Sequence, residues 1–194
     1  ALVRFRMQNN ASIWLPSEVV GSHVGPRKCH TSGRVLNMSL RAWVAASRHM
    51  GFEMDPRELN EDETALLKEI TQWYKENRCW MHKGFSSQLD LSDEAQLGEI
   101  QISNDNAKFV SFVVQFEQSK YSSPKPVTLT GLEANSIYKI NLKTPENAAL
   151  VSRGKITLRD KELILSGQFL MSQGINLPCA FPGTIWVIEG IKLC

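Results

Sequence analysis

The stretch Met50–Asn77, MGFEMDPRELNEDETALLKEITQWYKEN, decides how the rest of the chain is read. Its first residues alternate in type from Gly51. A strand sends alternate side chains to opposite faces, so Phe52 and Met54 share one face and Glu53 and Asp55 the other. Pro56 has no N–H to donate and ends that ladder. Asn60 followed by Glu63 is a capping box, the strongest helix-start signal in the chain. Behind it, Leu66, Ile70, Trp73 and Tyr74 recur at helical spacing as one apolar stripe. The unit reads as strand, turn and a long helix over Asn60–Asn77. It is the seam between two architectures.

Upstream of the seam, Leu2–Met7 reads as the tail of an amphipathic helix, with Arg4 and Arg6 between apolar positions. Ser12–Val24 is strand-like but interrupted by Pro16, and Gly21–Val24 forms a second short extended piece. GPRKCHTSGR, Gly25–Arg34, is a polar loop with Gly and Pro at one end and Gly33 at the other. Val35–Met50 is helical, with Leu40, Trp43 and Val44 on one face. This order is the grammar of βα units on a parallel sheet. So few units leave an exposed edge and a bare apolar face, so this half is not expected to fold alone. The chain begins on Ala1 with a helix already in its last turns, which suggests that something precedes it.

Downstream the grammar changes. Gly98–Ser103, Phe109–Glu117, Val127–Thr130, Ile137–Lys143, Lys155–Leu158, Glu162–Leu165 and Thr184–Ile191 all read as strands. Turn signals separate them at Asn104–Asn106, Ser122–Pro124, Glu133–Asn135, Arg159-Asp160 and Pro182-Gly183. No helix is predicted here. Short strands at this spacing predict an antiparallel β-sandwich. Tyr138, Ile140 and Leu142 alternating with Ile137, Lys139 and Asn141 fits a sheet with one wet face.

Composition sets limits on function. Of 194 residues, 42% are hydrophobic and 22% charged, and the net charge is +2 with the basic residues scattered. A nucleic-acid surface needs a clustered basic face. No apolar run approaches the roughly 18–20 residues of a membrane helix, and the first residues lack the apolar core of a signal peptide. The four cysteines, Cys29, Cys79, Cys179 and Cys194, are widely and irregularly spaced. That pattern fits free thiols in a reducing compartment, and so a cytoplasmic placement, better than a disulfide framework.

Few residues advertise chemistry. Glu53 and Asp55 are the best local carboxylate pair, expected as hydrogen-bonding groups at a strand end, and Glu18 is a third acidic candidate. Cys29-His30 and Cys79-x-x-His82 do not by themselves assemble the four ligands of a structural zinc site. No metal or cofactor is implied. Trp43 and Trp73 lie on apolar helix stripes and are expected in the core. Trp14 and Trp80 are not placed by the pattern.

Three motifs, taken in order, resemble one family. They are PSEVVGSHVGPRKCHTSGR (Pro16–Arg34), MGFEMDPRELNEDE (Met50–Glu63) and LSGQFLMSQGINLP (Leu165–Pro178). Together they look like the C-terminal third of glycoside hydrolase family 36, the α-galactosidases and their relatives. Gly21, His23 and Val24 match the first family signature, and His30, Gly33 and Arg34 the second. Ser22 replaces the usual alanine, Cys29 the usual asparagine and Ser32 the usual threonine. The resemblance implies a partial TIM (β/α)8 barrel, its final strands and helices at residues 1–78, followed by an antiparallel β-sandwich domain at 79–194. Ala1–Asn10 would follow barrel strand six. Ser12–Val24 and Met50–Asp55 would be strands seven and eight, and Val35–His49 and Asn60–Asn77 their helices.

The same resemblance implies that the two catalytic aspartates lie upstream of Ala1, at the ends of strands four and six. It implies a retaining hydrolase of terminal α-galactosyl residues acting on α-galactoside oligosaccharides, oligomeric in many members. Loops after barrel strands build the active face, so His23, His30 and Arg34 become candidates for supporting the sugar pocket; the plainer expectation is that both histidines hydrogen-bond to the barrel rim and that Arg34 forms a structural salt bridge. Other readings keep their place. The β-half could be a non-catalytic carbohydrate-binding module, which exposed aromatics on one sheet face would favour. Alternatively, the parent could be an α-galactosyltransferase of the raffinose-synthase kind.

Overall fold

In a computed structural model, residues 1–121, 126–144, 158, 162–178 and 180–193 are described. The chain divides into two compact units, Ala1–Lys83 and Gly84–Cys194.

The first unit runs α1 (Leu2–Ala11), a 3-10 turn (Ser17–Val19), β1 (Gly21–Val24), α2 (Met38–Ala46), β2 (His49–Phe52), a second 3-10 turn (Pro56–Glu58) and α3 (Glu61–Lys83). β1 and β2 pair in parallel, with His23 opposite Gly51. The capping box closes both ways: Glu63 N–H donates to Asn60 Oδ1 at 2.8 Å, and Asn60 N–H to Glu63 Oε2 at 3.4 Å. The stripe behind it is buried at Ile70, Trp73 and Tyr74. Trp43 meets Trp73 edge to face with ring centroids 4.9 Å apart, a geometry contributing about 1 kcal/mol beyond area burial. The Tyr74 hydroxyl accepts from Met50 N–H at 3.1 Å and so fixes the start of β2 against α3.

Several boundaries move, each for a local reason. Within Ser12–Val24 only Gly21–Val24 is strand. Pro16 extends the backbone, and Ser17–Val19 coil into a 3-10 turn after it. The helix expected from Val35 starts after Asn37, whose Oδ1 accepts from Leu40 N–H at 2.8 Å. β2 ends at Phe52 because β1, its partner, is only four residues long. α3 continues past Asn77 to Lys83, so the expected boundary at 78/79 falls inside a helix. Asn77 does not stop it, because its amide is committed to the helix. Nδ2 donates to the Trp73 carbonyl at 2.8 Å, and Oδ1 accepts from Trp80 Nε1 at 2.9 Å.

The second unit is an antiparallel sheet of six strands among the described residues. These are β3 (Phe85–Gln88), β4 (Gln96–Ile102), β5 (Lys108–Gln115), β6 (Ile137–Leu142), β7 (Leu163–Ser166) and β8 (Thr184–Lys192), in the order β3-β4-β5-β8-β6-β7. β3 was not anticipated; Phe-Ser-Ser-Gln carries too little apolar pattern to announce a strand. β6 alternates as expected, with Tyr138 and Ile140 buried. Ile100, Ile102, Phe109, Val113, Trp186 and Ile188 form the core with Leu129, Leu170, Ile175 and Leu177.

Among the described residues the layer over that core is not a second sheet. Val127 makes one bridge to Ile175 where the strand Val127–Thr130 was expected. A helix not expected from the sequence, α4 (Gly167–Ser172), supplies Leu170. Ser166 caps it, its Oγ accepting from Phe169 N–H at 3.1 Å. Of the expected strand Lys155–Leu158 only Leu158 is described, and it is in the core. The turns at Ser122–Pro124 and Arg159-Asp160 lie outside the described residues.

The cap gives a direct test. Asn60→Ala should lower stability by about 1 kcal/mol and Asn60→Asp should leave it nearly unchanged. Urea unfolding midpoints of the two variants check this.

Candidate functional site

The carboxyl end of β1 and the loop after it carry the candidate residues. Ser22 and Val24 face inward and are buried; Ser22 Oγ donates to the Val44 carbonyl at 3.3 Å, tying the strand to α2. His23 points to the other face and is exposed. Its imidazole lies over Gly51 on the neighbouring strand. A Cβ at Gly51 would stand 2.7 Å from His23 Cδ2, so only glycine leaves room for this ring. The guanidinium of Arg4, from α1, donates to the His23 carbonyl and lies 3.7 Å from Glu53 Oε2. Thus α1, β1 and β2 meet around His23.

The loop closes on itself. Cys29 N–H donates to the Arg34 carbonyl, and Gly33 N–H to the Cys29 carbonyl, both at 2.9 Å. Gly33 takes φ +67°, which makes the reversal possible. His30 and Arg34 are both exposed on it. The structure does not bring His30 against His23 by any hydrogen bond or ring contact among the described residues. The Arg34 side chain makes no ion pair with a described residue, contrary to the structural salt bridge expected of it.

Cys29 is better placed than its neighbours suggested. Hydrogen bonds from the Ser32 hydroxyl, then from the backbone N–H groups of Ser32 and Thr31, lower its thiol from the ordinary 9.0 to about 7. Cys29 and Cys79 are free thiols; Cys179 and Cys194 lie outside the described residues.

The loop is anchored by an ionic node that no sequence pattern announced. Glu63 accepts from the Arg27 guanidinium and from Arg41 Nη2, the latter at 2.9 Å. The Arg41 side chain is only 3% exposed, and its Nη1 donates to the Gly25 carbonyl at 2.9 Å. Arg27 first, then the Asn60 N–H and Arg41, hold the Glu63 carboxyl below the ordinary glutamate range. A lowered carboxyl contributes stability that is present above its unfolded value and lost as pH falls through the folded one. The node therefore weakens only in acid.

The acidic candidates do not form a catalytic pair. Asp55 leaves the strand and caps the Pro56–Glu58 turn, accepting from Arg57 N–H at 2.9 Å and pairing with the Arg57 guanidinium at 2.6 Å. That pairing lowers its carboxyl. Glu53 turns to Arg4 instead, and Glu18 is exposed on the first 3-10 turn. Among the described residues no three His, Cys, Asp or Glu side chains gather as metal ligands. No described helix is long and apolar enough to cross a membrane. Trp43, Trp73 and Trp186 are buried, whereas Trp14 is 84% exposed. Glu99, fully buried on β4, passed unnoticed in the sequence; its Oε1 accepts from Gln101 Nε2 at 3.1 Å.

The parallel strands β1 and β2, with α1, α2 and α3 around them, make the first unit an α/β one. Comparison with known proteins makes that class specific. Residues 1–84 match the Melibiase family model, and residues 100–185 match the glycosyl hydrolase family 36 C-terminal domain. The chain belongs to glycosyl hydrolase family 36 and corresponds to its C-terminal region. It is 29% identical over 188 residues to the alpha-galactosidase of Escherichia coli, covering 94% of this chain and 27% of that protein. It is 26% identical to alpha-galactosidase AgaA of Geobacillus stearothermophilus, covering 72% of this chain and 19% of that one. Among solved structures, a variant of AgaA in complex with raffinose superposes with TM-score 0.82 at 22% identity, covering 99% of this chain and 24% of that one. The alpha-galactosidase from Lactobacillus brevis gives 0.82 at 19% identity, covering 100% of this chain and 25% of that one. The chain thus spans about a quarter of the length of the proteins it matches.

The Cys29 environment makes a measurable difference. Its alkylation by iodoacetamide should rise through a midpoint near pH 7. Ser32→Ala should move that midpoint upward, because the thiolate loses the hydroxyl that stabilises it most. Mass spectrometry of the Cys29 peptide across a pH series reads both.

Proposed function

We propose that this chain is the C-terminal portion of a retaining α-galactosidase that removes terminal α-galactosyl residues from oligosaccharides such as raffinose. The observation that carries the reading is the pair of family matches in order along one chain, Melibiase and then the family 36 C-terminal domain. In the finer reading, α1, β1, α2, β2 and α3 are the closing units of a TIM barrel. The six-stranded sheet, with α4 and the Val127–Ile175 bridge over its core, is then the body of the C-terminal antiparallel β-domain. The domain boundary is best set at the end of α3, where the compact units divide.

Retaining glycosidases use two carboxyls about 5–5.5 Å apart, one as nucleophile and one as acid/base. Asp55 and Glu53 face Arg57 and Arg4 rather than each other, and the family resemblance puts the catalytic aspartates in the part of the relatives that this chain does not span. The role left to residues 1–83 is support. In a TIM barrel the active face is built from the carboxyl ends of strands and the loops after them. His23 stands at such an end, and His30 and Arg34 in the loop that follows. We assign them to shaping the sugar pocket, with Gly51 and Arg4 setting the orientation of His23 and the Glu63 node setting the loop.

The test is hydrolysis of an aryl α-galactoside. The intact protein carrying this chain should turn it over with retention of anomeric configuration, and the purified 194-residue chain should not. His23→Ala in the intact protein should lower kcat/KM by about tenfold, the loss expected for one polar contact. Turnover by the chain alone, or an intact protein inert toward α-galactosides, would refute the reading.

A further inference from the structure

The second unit carries a pocket that the hydrolase reading does not use. It has a volume of about 300 Å³ and opens beside β3, the edge strand of the sheet. Phe85 and Ser87 pair across to Ile102 and Ile100, so these four residues share the core-facing side of β3 and β4. Ile100 and Ile102 are buried and make an apolar floor. Phe85 stands over it, 68% exposed, where an edge strand's side chain would ordinarily be polar.

The opposite wall is polar but uncharged. Asn106 sits at φ +55°; its N–H donates to the Ser103 carbonyl at 2.9 Å and its carbonyl accepts from the Tyr138 hydroxyl at 3.2 Å. The backbone is therefore pinned while the side-chain amide has no partner among the described residues. The Thr130 hydroxyl beside it is exposed and likewise free among the described residues. Gly131, at φ +83°, lets this wall approach the floor: a Cβ there would lie 2.9 Å from Ile102 Cδ1. Among the described residues no ionisable group lines the pocket.

An exposed aromatic ring, an apolar floor and unpaired neutral donors and acceptors define one ligand chemistry. The ligand must be uncharged, offer a C–H face to an aromatic ring, and carry hydroxyls at its edge. We propose that this pocket binds a neutral saccharide unit, with Phe85 against the apolar face of the sugar and Asn106 and Thr130 on its hydroxyls. A volume near 300 Å³ lies at the small end of ligand pockets and suits one or two sugar rings. The site does not rest on the α-galactosidase reading, because its chemistry discriminates sugars from other ligands and not one glycosidic bond from another.

The test uses the intact protein carrying this chain, labelled at isoleucine δ1 methyls, so that Ile100 and Ile102 report from the pocket floor. D-galactose and maltose are titrated separately; neither is a galactoside awaiting hydrolysis. At least one should shift the Ile102 methyl along a saturable curve. Phe85→Ala and Asn106→Gly should each weaken that binding by about tenfold. Glycine suits the second substitution because it keeps the positive φ, and an unshifted Ile188 methyl confirms that both variants keep the core. Three results would overturn the proposal: no saturable shift with either sugar, unchanged affinity in both variants, or a response to benzyl alcohol alone. The last would make the pocket an apolar site.

Discussion

Glu63 joins three parts of the first unit through one carboxylate. As the third residue of α3 it completes the capping box with Asn60. The same carboxylate receives Arg41 from α2 and Arg27 from the loop after β1. Arg41 is nearly fully buried, and a buried guanidinium without its carboxylate is costly. One residue thus sets where the long helix begins, where α2 packs, and where the loop bearing Cys29, His30 and Arg34 leaves the sheet. Arg41 extends the chain of contacts to the Gly25 carbonyl, at the foot of that loop.

His23 is positioned by different means. Its strand is four residues long and its ring rests on a glycine of the neighbouring strand. A larger residue at position 51 would push the imidazole away. The Arg4 contact to its carbonyl ties it to α1. Two supports, one ionic and one steric, therefore fix the two parts of the candidate site, the strand end and the loop. In both it is the backbone that is held, while the His23, His30 and Arg34 side chains stay exposed.

Where local signals were strong, the structure was legible from the sequence. The capping box and the stripe Ile70, Trp73, Tyr74 located α3, and the alternation in Ile137–Leu142 oriented β6. Helix ends were less legible, because they depend on side chains meeting partners: Asn77 looks like a stop until its amide is bonded to Trp73 and Trp80. The Arg27–Glu63–Arg41 node could not be read at all, since it joins residues far apart in sequence with no periodicity between them. The same holds for the pocket at β3, whose wall comes from Asn106 and Thr130 in separate turns. The family resemblance singled out His23, His30 and Arg34 by motif as candidates. It could not show that His23 leans on Gly51 or that Arg34 lacks an ionic partner among the described residues.

The Glu63 node is most directly tested by a double-mutant cycle on stability, with Glu63→Gln, Arg41→Met and the pair together. If the carboxylate and the buried guanidinium hold the unit together, the two changes are strongly non-additive, with a coupling of about 2 kcal/mol. Additive effects, with a coupling within about 0.5 kcal/mol of zero, would mean that the loop and α2 are held by something else.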